Sequence, residues 1–312
     1  MDRLSERRIV LVKRKTRLDE LIVRFNSSLQ AKFYIEHLGA DFSDYEQEHN
    51  EYILALQQAT KILEKMGRVH VLERAFLSNY LFGNDDIVIA IGQDGMVANT
   101  MKYLSGQPLI GVNPSPKRWD GILLPFLVND LSLIVPELMS GKRKYREVTF
   151  ASAKLNNGQT LLAVNDFFIG QKTHVSARYQ LTFQENTECQ SSSGIIISTG
   201  LGSTGWFKSI LEGANGIVTK ISGKNIEIKS KNKFTWDSDY LYFSVREPFP
   251  SKATGTDLTF GKITSEDRLK VVSQMSDNGV IFSDGIESDF IEFNSGTEAS
   301  IEIADKKGAL IV

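Results

Sequence analysis

The stretch that decides the fold is DDIVIAIGQDGMVANTMKYL, Asp85 to Leu104. DIVIAI (Asp86–Ile91) is a continuous run rich in β-branched residues, the pattern of a central parallel strand covered on both faces. A tight turn follows, Gly92-Gln93-Asp94-Gly95, and a helix is predicted from Met96 to Leu104, stopping at Gly106. This order puts Asp94 beyond the C-terminal end of a strand, where ligands of open α/β sheets collect. Backbone N–H groups and the helix dipole favour an anion at such a place. Asp94 then has one of two roles. Either it takes a proton from a hydroxyl nucleophile, or helps hold a metal, while the turn holds phosphate. Or it only caps the helix, and the glycines only make the turn.

On either side of this stretch, strand and helix signals alternate. RRIVLVK (Arg7–Lys13), RVHVLE and QPLIGVN read as strands. SSLQAKFYIEHLGA and NEYILALQQATKILEKMG have helical spacing; Ile53, Leu56, Ala59, Ile62 and Leu63 share a face, and Gly67 is a stop. These elements predict an α/β domain of three layers. Near residue 145 the pattern changes. RYQLTF, GIIIST, NIEIKS, YLYFSV, LTFGKI, LKVVSQM, GVIFSD, FIEFN and ASIEIAD are strands separated by turn residues. One helix interrupts them, from Ser203 to about Gly213. The expectation is an α/β domain over residues 1–143 and an all-β sandwich over 144–312.

Composition narrows the function. A chain of 312 residues with 41% hydrophobic and 24% charged residues reads as a globular protein of two domains. A net charge of −2 gives no support to a nucleic-acid partner. The single cysteine, Cys189, excludes an intrachain disulfide, and the four scattered histidines do not form a metal motif. No apolar run approaches the roughly 20 residues of a membrane span, and the charged start MDRLSERRIVLVKR lacks a secretory core. A cytoplasmic location is expected.

Three further constellations carry polar groups. SSSGIIISTGLGSTGWFKSI contains Gly200-Leu201-Gly202-Ser203-Thr204-Gly205, literally G-x-G-x-x-G. It stands in β-rich sequence with no βαβ unit around it, which argues against a Rossmann site. Glu227 lies where a ribose-binding acid is wanted, but alternates inside NIEIKS like an exposed strand position. Trp206 either stacks on a flat ring or fills a helix-face core position. In LLAVNDFFIG, Asn165 and Asp166 form a polar pair in an apolar run. They either stitch a neighbouring turn or offer an amide and a carboxylate to sugar hydroxyls. In IFSDGIES, Asp284-Gly285 reads as a hairpin turn.

Taken in order, these pieces resemble the NAD kinases. GVNPSPKRWDG, VNDFFIGQKTHVSARY, SSSGIIISTGLGSTGW and IEFNSGTEASIEI are most similar to the mitochondrial-type branch, and the likeness runs over essentially the whole chain. The resemblance implies an N-terminal domain like those of phosphofructokinase and diacylglycerol kinase, followed by a β-sandwich. It implies transfer of the ATP γ-phosphoryl group to the 2′-hydroxyl of NAD's adenosine ribose, with Mg²⁺ carried by ATP rather than by a protein metal site. By matching position Asp94 is the general base, on the turn of Gly92, Gln93 and Gly95. Asn165 and Asp166 hold ribose hydroxyls; Ser198, Thr204, Gly205, Trp206 and Ser209 line the NAD pocket. NAD and ATP are the implied partners, and a homodimer or higher oligomer the implied assembly. The chain departs from the family at Gln93, where a second glycine is usual, at Asp166 for glutamate, at Ser193 for an acid and at Trp206 for tyrosine. If position 93 needs φ > 0, glutamine costs about 1–2 kcal/mol there. Two alternatives share the fold: a non-catalytic NAD(P)-binding protein, and a kinase of another hydroxyl, on a sugar or lipid head group.

Overall fold

The computed structural model describes residues 3–223, 234–286 and 289–312. The predicted strand NIEIKS, with Glu227, lies outside the described residues. The chain folds as two units: Met1–Arg146 with Ala309–Val312, and Glu147–Gly308.

The first unit runs β1 (Arg8–Lys13), α1 (Arg17–Phe25), α2 (Ser28–His37), α3 (Ser43–Leu63), β2 (Arg68–Glu73), β3 (Ile87–Ile91), α4 (Asp94–Lys102), β4 (Leu109–Val112) and α5 (Leu131–Met139). Its strands are parallel in the order β2-β1-β3-β4, and Leu310 near the C-terminus pairs in parallel with Leu109. Ile9, Leu11, Ile87, Ile89, Ile91 and Ile110 pack on one face with α3 and α5. Val10, Val12, Val88, Ala90 and Leu109, pointing the other way, are buried as well. Covering on both faces is why β3 is an unbroken apolar run; each such side chain contributes about 1.5–3 kcal/mol on burial.

In this unit α1 and α3 differ from expectation. α1 was not predicted, although its start is marked: Thr16 and Asp19 form a capping box, each side chain bonding the other's backbone N–H. α3 begins at Ser43, and its deepest face is Tyr52, Ala55, Ala59 and Leu63, with Ile53, Leu56 and Ile62 at the margin.

The second unit is all-β apart from one long helix. It contains β5 (Tyr145–Leu155, entering from the first unit), β6 (Thr160–Ala163), β7 (Asp166–Gln171), β8 (Ala177–Phe183), β9 (Asn186–Ser192), β10 (Ile195–Ser198), α6 (Trp206–Ser222), β11 (Leu241–Val245), β12 (Phe260–Ile263), β13 (Leu269–Ser273), β14 (Gly279–Ser283), β15 (Phe290–Glu292) and β16 (Glu298–Ile311). One sheet orders β16-β13-β8-β9, with β5 on β16 and β6 on β5; the other is antiparallel, β12-β11-β10-β7-β14-β15. Alternate residues of both sheets, among them Tyr179, Leu181, Val271 and Ile301 against Phe167, Ile197, Phe243 and Ile281, form one core. The opposite face of the second sheet carries Phe168, Ile196 and Val280, with Trp206 and Ile210 of α6 packed on them. α6 runs past the predicted stop at Gly213 and ends at Gly223, whose φ of 67° is the left-handed C-cap. A glycine inside a helix costs about 1 kcal/mol, which weakens a helix without ending it.

Candidate active site

In the first unit the turn after β3 has a different cap from the expected one. Gln93, not Asp94, is the N-cap of α4, with extended backbone angles of φ −113° and ψ 165°. The backbone strain raised for glutamine at this position is therefore absent: no left-handed conformation is needed there. Asp94 is the first residue of α4, and its Oδ1 accepts the N–H of Leu123 at 2.7 Å. The carboxylate thus reaches the loop after β4 instead of capping its own helix. The two glycines serve different ends. A Cβ on Gly92 would stand 2.9 Å from Met96 Sδ, so a larger residue there would require the Met96 side chain to shift. Gly95 is exposed, and a Cβ there would meet nothing within 4 Å.

Around this turn lies a polar frame that sequence reading did not find. The Tyr52 hydroxyl donates to Ile91 O at 3.1 Å and accepts the Arg14 N–H at 2.9 Å, fastening α3 to the ends of β1 and β3. Burial pushes that hydroxyl up to about 12, so it stays protonated. Arg14 pairs with Glu48 at 2.8 Å, and Arg17 pairs with both Glu48 and Asp44. Burial alone would raise Glu48, but hydrogen bonds from Arg14 and Arg17 outweigh it and hold the carboxyl below its ordinary value. Asp44 also takes Arg118, at 2.6 Å. The one sequence signal was the basic run KRKTR at the end of β1.

In the second unit Asn165 and Asp166 enter β7, with Ser198 of β10 directly opposite Asp166. Asp166 lies two residues before Phe168, on the sheet face that α6 covers. Asp284 and Gly285, at φ 58° and 70°, make a tight turn just after β14, closed by Ile286 N–H to Ser283 O at 3.1 Å; the predicted two-residue hairpin is not formed, since β15 begins only at Phe290. The Asp284 side chain does more: its Oδ1 accepts the N–H groups of Val164 at 2.9 Å and Asn165 at 2.6 Å. Its own N–H donates to Asp166 O at 2.9 Å. Asp166 is only 6% exposed, and burial, followed by the charge of Asp284, pushes its carboxyl up to about 7. Thr199, also not predicted, donates its N–H to Asn165 O at 2.9 Å; its hydroxyl lies 2.6 Å from Val164 O.

The G-x-G-x-x-G match has a packing explanation. A Cβ on Gly202 would stand 2.1 Å from Asn165 O, and one on Gly200 would stand 1.7 Å from Thr235 O. β10, which precedes these glycines, is antiparallel to both neighbours, so no βαβ unit surrounds them. The remaining predicted residues are spread. Ser198 is fully buried and donates to Thr199 O at 3.0 Å. Thr204, Gly205 and Ser209 are exposed around the start of α6. Trp206 stacks on Phe168 with ring centres 5.9 Å apart, and the Arg246 guanidinium lies 5.3 Å over the indole. Among the described residues, no three histidine, cysteine or acidic side chains come together as a metal site, and no helix is long and apolar enough to cross a membrane.

No protein-family profile matches the chain, and no curated protein matches it by sequence. Solved structures do match. An NAD kinase from Archaeoglobus fulgidus, in complex with ATP, superposes with a TM-score of 0.55 at 14% identity, over 98% of this chain and 93% of its own. Yeast NADH kinase, complexed with NADH, gives a TM-score of 0.57 at 13% identity, over 99% of this chain and 84% of its own. The chain has the fold of these kinases, an α/β domain followed by an all-β domain.

Proposed function

We propose that the protein is an NAD kinase-like phosphotransferase that moves the γ-phosphoryl group of ATP to the 2′-hydroxyl of NAD's adenosine ribose, releasing NADP and ADP. The observation that carries this is Asp94: a carboxylate at the first turn of α4, held through one oxygen by Leu123 N–H, beside an exposed glycine. Support comes from the two kinases of the same fold, solved with ATP and with NADH, and from the ordered motifs, which are most similar to the mitochondrial-type branch.

Asp94 accepts the hydroxyl proton as the new O–P bond forms and the bond to ADP breaks. The N–H groups opening α4 face the transferring phosphoryl oxygens. Mg²⁺, arriving on the donor's phosphates, neutralises their charge. Asn165 and Asp166, supported by Asp284 and Thr199, take the ribose hydroxyls, with Thr204, Gly205 and Ser209 at the edge of the same pocket. Because a ribose hydroxyl is a very weak acid, positioning supplies most of the rate. A homodimer or higher oligomer belongs to the same reading. The test is formation of NADP from NAD and ATP·Mg²⁺, with small polyols as competing acceptors and inorganic polyphosphate as competing donor. NADP formed from NAD alone among the acceptors supports the proposal; phosphorylation of the polyol instead, or of nothing, contradicts it.

A further inference from the structure

We infer that Asn113 is a positioning residue for Asp94: it fixes the loop after β4 so that Leu123 N–H holds one carboxylate oxygen and leaves the other to the acceptor hydroxyl. This rests on the kinase reading for its catalytic consequence, though the clamp itself is a matter of geometry.

Asn113 is buried at the end of β4 and engages its own loop at three points. Its N–H donates to Phe126 O at 2.8 Å, its Oδ1 accepts Ser115 N–H at 3.0 Å, and its Nδ2 donates to Trp119 O at 3.0 Å. The backbone bond joins the two ends of the loop, and the two side-chain bonds gather its first half. Gly111 then lets it descend onto the sheet: a Cβ there would stand 2.0 Å from Leu123 O. The result is that Leu123 N–H points at Asp94 Oδ1 from 2.7 Å. The far side of the loop is pinned to α3, with Ser115 Oγ donating to Glu51 at 2.8 Å and Arg118 paired with Asp44 at 2.6 Å. Asp94 is thus oriented by a neighbouring loop and not by its own helix, and the Asn113 side chain ties Ser115 and Trp119 of that loop together and packs on Gly121, where a Cβ would stand 2.6 Å from its Nδ2. A general base misplaced by about 1 Å loses on the order of 100-fold in rate.

The experiment compares wild type, Asn113→Ala, Asn113→Asp, Asp94→Ala and the double variant Asp94→Ala/Asn113→Ala. Asn113→Asp keeps the size and the acceptor for Ser115 N–H but sets an oxygen against Trp119 O, so it serves where the alanine variant fails to fold. Expected are a kcat lower by roughly 100-fold with KM for NAD and ATP within about threefold. The double variant should be no slower than Asp94→Ala alone, since both act through one group. Hydrogen exchange at the Leu123 amide, slow in wild type, should quicken at least tenfold in the Asn113 variants. A folded variant with unchanged kcat, a double variant showing the full product of both losses, or an unchanged Leu123 amide overturns the inference. If wild type makes no NADP, the kinase reading fails while the amide measurement still decides the clamp.

Discussion

The two glycine-rich turns of this molecule look alike in sequence and differ in what their glycines are for. In Gly200–Gly205 the first two glycines are pressed against other backbone, at Thr235 and Asn165, so the fold itself requires them. In Gly92–Gly95 the last glycine touches nothing. A glycine with no neighbour and no positive φ is unexplained by packing, and an approaching ligand is what such a position can serve. The carboxylates differ in the same sense. Asp94 is partly exposed and held by a backbone N–H, whereas Asp166 is buried beside Asp284 and held high. Under the proposed function the first region would carry the reaction and the second the recognition of NAD.

The largest effect separating them should come from Asp94→Ala, which is expected to lower NADP formation by about 1000-fold while leaving the fold intact; an unchanged rate removes Asp94 from the chemistry.

Asp166 should instead show itself in stability. Its carboxyl titrates near 4 in the unfolded chain and at about 7 in the fold, so between those values the folded state holds a proton that the unfolded state has lost. Stability therefore falls as pH rises through that window, by up to roughly 4 kcal/mol, and the loss is complete above it. Urea unfolding at pH 5 and pH 8 reads this directly. Asp166→Asn should flatten the dependence; profiles that run parallel would contradict the assignment.

Paired glycine substitutions come next. Gly202→Ala should destabilise by about 1–3 kcal/mol or more, because Asn165 must move. Gly95→Ala should leave thermal stability within about 1 kcal/mol of wild type, or raise it, since alanine is the better helix former. Its effect should appear as a higher KM for ATP. Equal losses of stability at both sites would erase the distinction drawn here. The smallest effect is expected from Gln93→Gly, which should change stability by no more than about 1 kcal/mol because the N-cap backbone is already relaxed. A sharp rise in turnover would mark the glutamine side chain as a steric brake.

Much of this was legible because burial writes on sequence. β3 shows as a continuous apolar run since both its faces are covered, and β8 and β13 show as alternation since they have one inward face. The start of α1 is also written in the sequence, in the Thr16–Asp19 capping box. What left no trace were contacts made by backbone. Leu123 holds Asp94 through an N–H that any residue except proline supplies. Asp284 was readable as a turn, but its side-chain partners, Val164 and Asn165, lie about 120 residues away. The same holds for Asn113, whose role is set by the path of its loop.

The division of labour is tested most directly by titrating NAD into Asp94→Ala and Asp166→Ala in a calorimeter, with NADP formation measured on the same preparations. The account predicts that Asp94→Ala binds NAD with near wild-type affinity and makes almost no NADP, while Asp166→Ala loses affinity for NAD. Loss of NAD binding in Asp94→Ala, or wild-type binding in Asp166→Ala, would contradict it.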